Sequence, residues 1–498
     1  MEMEAVSPCS RKRKSARLGS LEVGPASEPM AGDQDQEPPP LPAAEGGGGD
    51  RISDLPDAVL GEIISLLSTK EGARTQVLAS RWRHLWHSAP LNLDCRPFLC
   101  DKEDLDVIIS RVLAAHPGPG RRFCARVYHL DGDRANAWFR SPALDNLHEL
   151  ELCSLECRSP RPPAMQRPPP AAAFRFSDTL RVATIGECHL TDSTVQGLHF
   201  PKLQKLGLKR VKISESSLHT MIAACPALEC LLFKDNAGFR CVRINSTSLR
   251  SIGVGGTYYF REEHNFRELV IENAPCLQSL LRFSGCLDIS VISAPKLEFL
   301  GCLSDSNSRF MFDSTVIKGF CVDSLTTTVR TIKILAVDMH ALSLDTVIDL
   351  MRCFPCLEKL YIQSDGPGKT NVWRRKHRSL IRSLDIRLKT IVWRYYRGIK
   401  PHVDFATFFV LNARVLELMV FEVKHGHYNN AFFAKQREML QVDSRASRGA
   451  QLRFTSDLSY RFIIGIHGCS VDDLDRADPL ERRQPPGADT NFVLRGNS

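Results

Sequence analysis

Pro201-Lys-Leu203-Gln-Lys-Leu206-Gly-Leu208-Lys-Arg-Val211-Lys-Ile213 is the stretch whose reading decides the fold. Counted from Leu203, its apolar residues fall at positions 1, 4, 6, 9 and 11. Leu206 and Leu208 alternate with polar or small neighbours, the period of a strand with one buried face. Pro201 ends the preceding segment and lets that strand begin. The pattern recurs along the chain. Leu147, Leu150, Leu152, Leu155 and Cys157 repeat it, as do Leu180, Ala183, Ile185, Cys188 and Leu190, with Ala183 the weak position. Shorter versions start at Leu228, Leu249, Leu297 and Leu357. Others start at Val329, with Ile332 and Ile334, and at Leu388, with Ile391 and Trp393. A proline two residues ahead of the leading residue marks the register at Pro201, Pro226, Pro275, Pro295 and Pro355. Starts from Leu180 to Leu249 lie about 21 to 25 residues apart, and later intervals are longer, with room for irregular loops.

Spacing and composition of this kind are the signature of leucine-rich repeats. Each unit is one strand and a return segment, and it cannot bury its Leu and Ile side chains without neighbours on either side. The expected fold is therefore α/β: a solenoid over residues 105–380, with parallel strands on the concave face and helices or loops on the convex face. Outward strand positions then form one continuous surface, which includes Glu149 and Glu151. Lys205, Lys209, Phe299, Lys359, Tyr361 and Gln363 are its candidate target-binding residues. Most positions on such a face are simply solvated, yet curved arrays commonly bind proteins. Pro160 to Pro170 is a proline-rich insertion expected to be exposed.

Asp50 to Asp94, upstream of the repeats, reads as three short helices. Pro56 suits a first helical position, and Val59, Leu60, Ile63, Ile64 and Leu67 follow at helical spacing. Ser68 and Glu71 form a capping box for a second helix. A third carries Trp82, Leu85 and Trp86 and stops at Ala89-Pro90. A unit of roughly 45 residues buries few large side chains by itself, so the rest of the chain or another protein must cover the surplus.

Leu55-Pro56, Ile63-Ile64, Arg74-Thr75, Val77-Leu78 and Arg81-Trp82-Arg83, with Trp86, resemble the F-box of plant F-box proteins. The resemblance implies that residues 51–94 dock on a Skp-type adaptor and, through it, on a cullin–RING ubiquitin ligase. Leu55, Pro56, Ile63, Val77, Leu78, Trp82 and Trp86 are the implied adaptor-binding residues. Where that family often has Leu-Ser at the start of the last helix, this chain has Leu78-Ala79-Ser80, which shifts the helix cap by one residue. A second resemblance covers Leu388 to Gly398 and Phe408 to Met419, which are similar to the FBD region that follows leucine-rich repeats in plant F-box proteins. It implies a strand–helix–strand cap on the array within residues 384–465. Residues 1–50 are expected to be a disordered tail, given Pro38-Pro39-Pro40 and Gly46 to Gly49, and residues 470–498 a flexible one.

A net charge of +8 over 498 residues demands no nucleic acid. The N-terminal residues lack the apolar run of a secretory signal. Phe405 to Val423 is broken by Asn412, Arg414 and Glu417, so no membrane span is expected. Seventeen cysteines, an odd number, point to free thiols in a reducing compartment; nucleus and cytoplasm both fit. Arg11-Lys12-Arg13-Lys14 fits either a nuclear import signal or a solvated charge cluster. Cys353 and Cys356 have redox spacing, but their place in the repeat register makes them small buried hydrophobes. His425 and His427 lack further zinc ligands at a suitable spacing. No catalytic residue, metal site or cofactor is expected. The basic run Trp373 to Arg378, with Arg382, Arg387, Arg394 and Arg397, attracts either an acidic protein or nucleic acid, the second being the lesser reading. The chain thus reads as a non-catalytic substrate-recognition subunit of a ubiquitin ligase. A leucine-rich scaffold that assembles no ligase shares nearly every feature.

Overall fold

Alternation with a period of two decides where the strands form and which way their side chains face. The computed structural model describes residues 52, 54–95, 102–116, 119–125, 132–153, 167–256, 265–283, 285–304, 309–312, 315–322, 328–364, 366, 385–457, 470–481 and 491–494. The chain divides between Asp54 and Leu55, and the architecture that follows belongs to the second unit.

Among the described residues, fifteen strands join in one sheet in chain order, from Leu91–Asp94 through Lys205–Lys209 to Asn491–Leu494. Neighbours run parallel except the last two, Gln451–Asp457 and Asn491–Leu494, which are antiparallel. Register follows the repeat: Leu206 pairs with Ala183 and Leu231, and Leu208 with Ile185 and Phe233. These residues point to one side of the sheet and enter a single apolar core that runs from Leu91 to Phe454. Lys205 and Lys209 face the other side. The sheet starts earlier than position 105, because Leu91 and Leu93 already alternate into the core.

The recurrent proline sits inside a turn. The amides of Leu203, Leu228, Leu277, Leu297 and Leu357 donate to the carbonyls of Phe200, Cys225, Ala274, Ala294 and Phe354, three residues back. Proline therefore occupies the second position of a β-turn, where its fixed φ fits. At the far end of three successive strands, Glu187, Arg210 and Asp235 take left-handed φ of 54–57°, turning the chain out of the sheet.

Two expectations change. The return side is helical in places, as at Glu215–Ala223, Leu344–Cys353 and Lys400–Asn412. Among the described residues between Cys241 and Val322, however, it is a second sheet of six strands. Cys241–Asn245 shows why: Val242 and Ile244 are buried and their neighbours are not, a period of two that a helix cannot satisfy. The repeat placed at Val329 starts at Ile332 instead. In Ile334–Asp338 the core positions are Leu335 and Val337, while Ile334 faces the opposite side.

At the N-terminus, α1 (Asp57–Ser65), α2 (Thr69–Arg74) and α3 (Ser80–Ser88) pack as a small unit. Pro56 is the N-cap of α1, one residue ahead of the expected place. Ser68 caps α2 by accepting from the Glu71 amide, and Ala79 precedes α3 without a side-chain cap. The C-terminal strand–helix–strand forms as expected, with strands Thr390–Tyr396 and Leu418–Lys424 flanking helix Lys400–Asn412. The sheet then continues beyond it. Residues 470–481 are not frayed, since Val471, Leu474 and Leu480 are buried. The run Arg11–Lys14, most of Pro160–Pro170 and the basic run 373–378 lie outside the described residues.

Candidate binding surfaces

The three-helix unit has a core of five residues: Leu60, Ile64, Trp82, Leu85 and Ala89. They lie on the inner faces of α1 and α3. Arg81 ties the two helices together from outside, donating to the Leu55 carbonyl at 2.6 Å and pairing with Asp57 at 2.5 Å. Trp86 turns toward the solenoid. Its ring meets His116 edge-on at 5.1 Å, and its carbonyl lies 2.9 Å from His116 Nε2. Asn92 of the first strand reaches back to Ser65.

The remaining apolar residues stay outside. Along α1, Val59, Ile63 and Leu66 lie at i, i+4 and i+7, one exposed stripe, with Leu66 79% exposed. Val77 and Leu78, in the turn before α3, are 84% and 64% exposed. Pro56 is exposed and Leu55 half-buried. Of the seven residues expected to meet the adaptor, Leu55, Pro56, Ile63, Val77 and Leu78 therefore reach the surface. Trp82 is only 7% exposed, and its packing role accounts for it. Trp86 joins the unit to the repeats. Val59, read only as part of the helical face, and Leu66 are not among the implied adaptor-binding residues, although their spacing with Ile63 was a legible signal. An apolar group so dense on so small a unit marks a contact surface.

The side of the sheet that Lys205 faces, away from the main core, carries a second surface, and it is covered. Cys230, Leu232, Leu281, Phe283, Phe299, Cys302, Ala336 and Tyr361 project from successive strands into an apolar cluster closed by Val471, Leu474 and Leu480. Residues 470–481 form turns, not a strand. The amides of Asp473, Arg476 and Glu481 donate to carbonyls within that same segment. Side chains bind it to the sheet. Lys205 Nζ lies 3.3 Å from Asp472 and 2.9 Å from Asp475. Lys359 Nζ meets Asp478 at 2.6 Å, and the Tyr361 hydroxyl donates to the same carboxylate at 2.8 Å. Arg394 donates to the Leu480 carbonyl at 3.2 Å.

Burial opposes the charge on Lys205, but the two aspartates outweigh it and hold its pKa above the ordinary lysine value. Burial pushes the Tyr361 phenol up, and the Asp478 charge adds to the effect. The Lys205 pairs are half open to water on the carboxylate side, so each contributes about 1 kcal/mol or less. Of the six expected target-binding residues, Lys205, Phe299, Lys359 and Tyr361 converge under this segment. Lys209 and Gln363 lie at the other ends of their strands, both half-buried. The covering residues were missed; the alternation of aspartates with Val471, Leu474 and Leu480 was the available signal.

Of the downstream arginines, Arg382 lies outside the described residues and Arg397 is exposed. Arg387 pairs with Asp385 at 2.7 Å, and Arg394 is buried beside Glu422 at 3.7 Å. Cys353 is buried, which pushes its thiol up to about 11, the opposite of what redox chemistry needs. Among the described residues, no group of three or more His, Cys, Asp or Glu is placed to hold a metal ion. Nor is any described helix long and apolar enough to cross a membrane.

Comparison with known proteins adds two regions of similarity. Residues 135–362 match the family model "FBD-associated F-box protein At5g56370, LRR repeats", and residues 376–421 match the FBD model. The F-box/FBD/LRR-repeat protein At2g04230 of Arabidopsis thaliana is 26% identical over 442 residues, 78% of this chain and 93% of that protein. The F-box/FBD/LRR-repeat protein At4g00160 of the same plant is 25% identical, over 83% of this chain and 96% of its own length. The F-box protein At5g03100 is 26% identical over 55% of this chain and 87% of itself.

Proposed function

Because this chain carries the leucine-rich repeats and the FBD region of the plant FBD-associated F-box proteins, we propose that it is a substrate-recognition subunit of a Skp–cullin–F-box ubiquitin ligase. In this reading residues 51–94 are the F-box and hold a Skp-type adaptor, and the concave face of the repeats holds a target protein. The observation that carries it is the apolar surface of the three-helix unit. Pro56, Val59, Ile63, Leu66, Val77 and Leu78 stand in solvent on a unit whose own core is five residues.

The chain then performs no bond chemistry. It raises the effective concentration of target lysines beside the ubiquitin-bearing subunit by holding both on one body. The contacts of Trp86 with His116 and of Asn92 with Ser65 support a fixed relation between the two sites. The activity belongs to the nucleus or the cytoplasm, which a fluorescent fusion in plant cells tests.

Calorimetric titration of the full chain with a Skp-type adaptor is the direct experiment, followed by affinity purification and mass spectrometry. Adaptor and cullin in the purified complex are the expected result. No adaptor binding by the unaltered chain would sink the ligase reading and leave a repeat scaffold.

A further inference from the structure

The segment on the concave face has the composition of a ligand. Residues 470–481 read SVDDLDRADPLE, four aspartates and a glutamate against one arginine. Beneath them lie Lys205, Lys359 and Arg394, each in contact with the segment. Its three aliphatic side chains fill the apolar cluster between those charges. It adds no strand to the sheet, so it can leave without breaking a β-ladder. Beside it opens a cleft of about 430 Å³, bounded by Phe299, Lys359 and the Lys333–Glu298 and Lys389–Glu358 ion pairs, and by Ala477 of the segment. The surface is thus larger than the segment that occupies it.

We propose that residues 470–481 stand in for a target: the concave face takes an acidic segment carrying aliphatic side chains, and such a target binds by displacing this strap. The inference rests on the reading of the concave face as the target site and names the chemistry of what binds there. A tethered strap competes at an effective concentration of about 1 mM. A free segment with an affinity of roughly 10 μM for the bare face is therefore weakened on the order of a hundredfold by the strap.

The test uses the full chain and a fluorescent synthetic peptide with the sequence of residues 470–481, read by anisotropy. The unaltered chain should bind it weakly. A Val471→Ser/Leu474→Ser variant, which lacks two anchors of the strap, should bind it about a hundredfold more tightly. Added salt, or Lys205→Glu with Lys359→Glu in that variant, should reverse the gain. Should the variant melt early, hydrogen exchange on the unaltered chain decides: saturating peptide should speed exchange of the 470–481 amides.

Equal weak binding by both proteins, with strap exchange unmoved by peptide, would overturn the proposal and make the strap a permanent part of the core. Equal binding of a scrambled peptide would overturn the specificity. Adaptor binding measured on the same samples keeps the claims apart. Its absence would remove the ligase reading and leave the strap result standing.

Discussion

Trp82 and Val77 are five positions apart, both apolar, and have opposite fates. Trp82 fills the space between α1 and α3, whereas Val77 and Leu78 project from the turn that leads into α3. Substitution should separate the two roles. Trp82→Ala removes the largest side chain of a five-residue core. It should cost about 3 to 5 kcal/mol, seen as an early melt of the N-terminal unit. Val77→Ala with Leu78→Ala should leave the melting curve in place. Adaptor affinity should fall by roughly thirtyfold per anchor, about 2 kcal/mol each. Unchanged affinity in the double variant would take these two residues out of the interface. Leu55 sits differently again: its carbonyl holds Arg81, a backbone role that Leu55→Ala preserves.

At the scale of the element, each strand places its Leu pair in a core that neighbouring strands complete. Leu206→Ala opens a void among residues with no exposed surface. It should cost about 2 to 5 kcal/mol while adaptor binding at the N-terminal unit persists. Calorimetry beside a melting curve reads both, and a parallel fall in binding would show the two regions to be coupled.

The helix Lys400–Asn412 carries a pH-dependent contact. His402 is fully buried, accepts from the Arg397 amide at 3.2 Å through Nδ1, and lies 3.1 Å from the Gly366 carbonyl through Nε2. Burial, opposed in part by that carbonyl, lowers its pKa below the ordinary value. The folded state thus takes up its proton at lower pH than the unfolded chain does. Stability from this site is complete above about pH 6.5 and declines as pH falls toward the lowered folded value. Melting temperatures between pH 7 and pH 5 should drop, and a His402→Gln variant should show a smaller drop. An identical slope in the variant would assign the effect elsewhere.

Across the whole molecule the solenoid needs an end. The strands Thr390–Tyr396, Leu418–Lys424 and Gln451–Asp457 extend the sheet; the Tyr396 ring meets Phe421 at a tilt, 4.5 Å between centroids, and Phe421 stacks on Phe454 at 5.0 Å. A chain ending at residue 412 would bare the edge of Thr390–Tyr396 and the rings beneath it. It should associate into oligomers, because open sheet edges pair; light scattering after size exclusion checks this. A monodisperse monomer would show that the repeats close themselves.

Strand positions, the inward ladder and the proline turns were legible because their causes are local. Alternation at Leu206 and Leu208 fixes the buried face whatever lies further along the chain, and Ser68 caps α2 with a residue three positions away. The convex strands were legible too, in Val242 and Ile244, but the template hid them. What only tertiary structure decided is which apolar surplus is inside. Trp82 and Val77 differ by how three helices meet, not by spacing. The segment 470–481 joins Lys205 to Asp472 across 267 positions. No periodicity connects residues so far apart, and the pairing arises only once the folded chain lays residues 470–481 across the sheet.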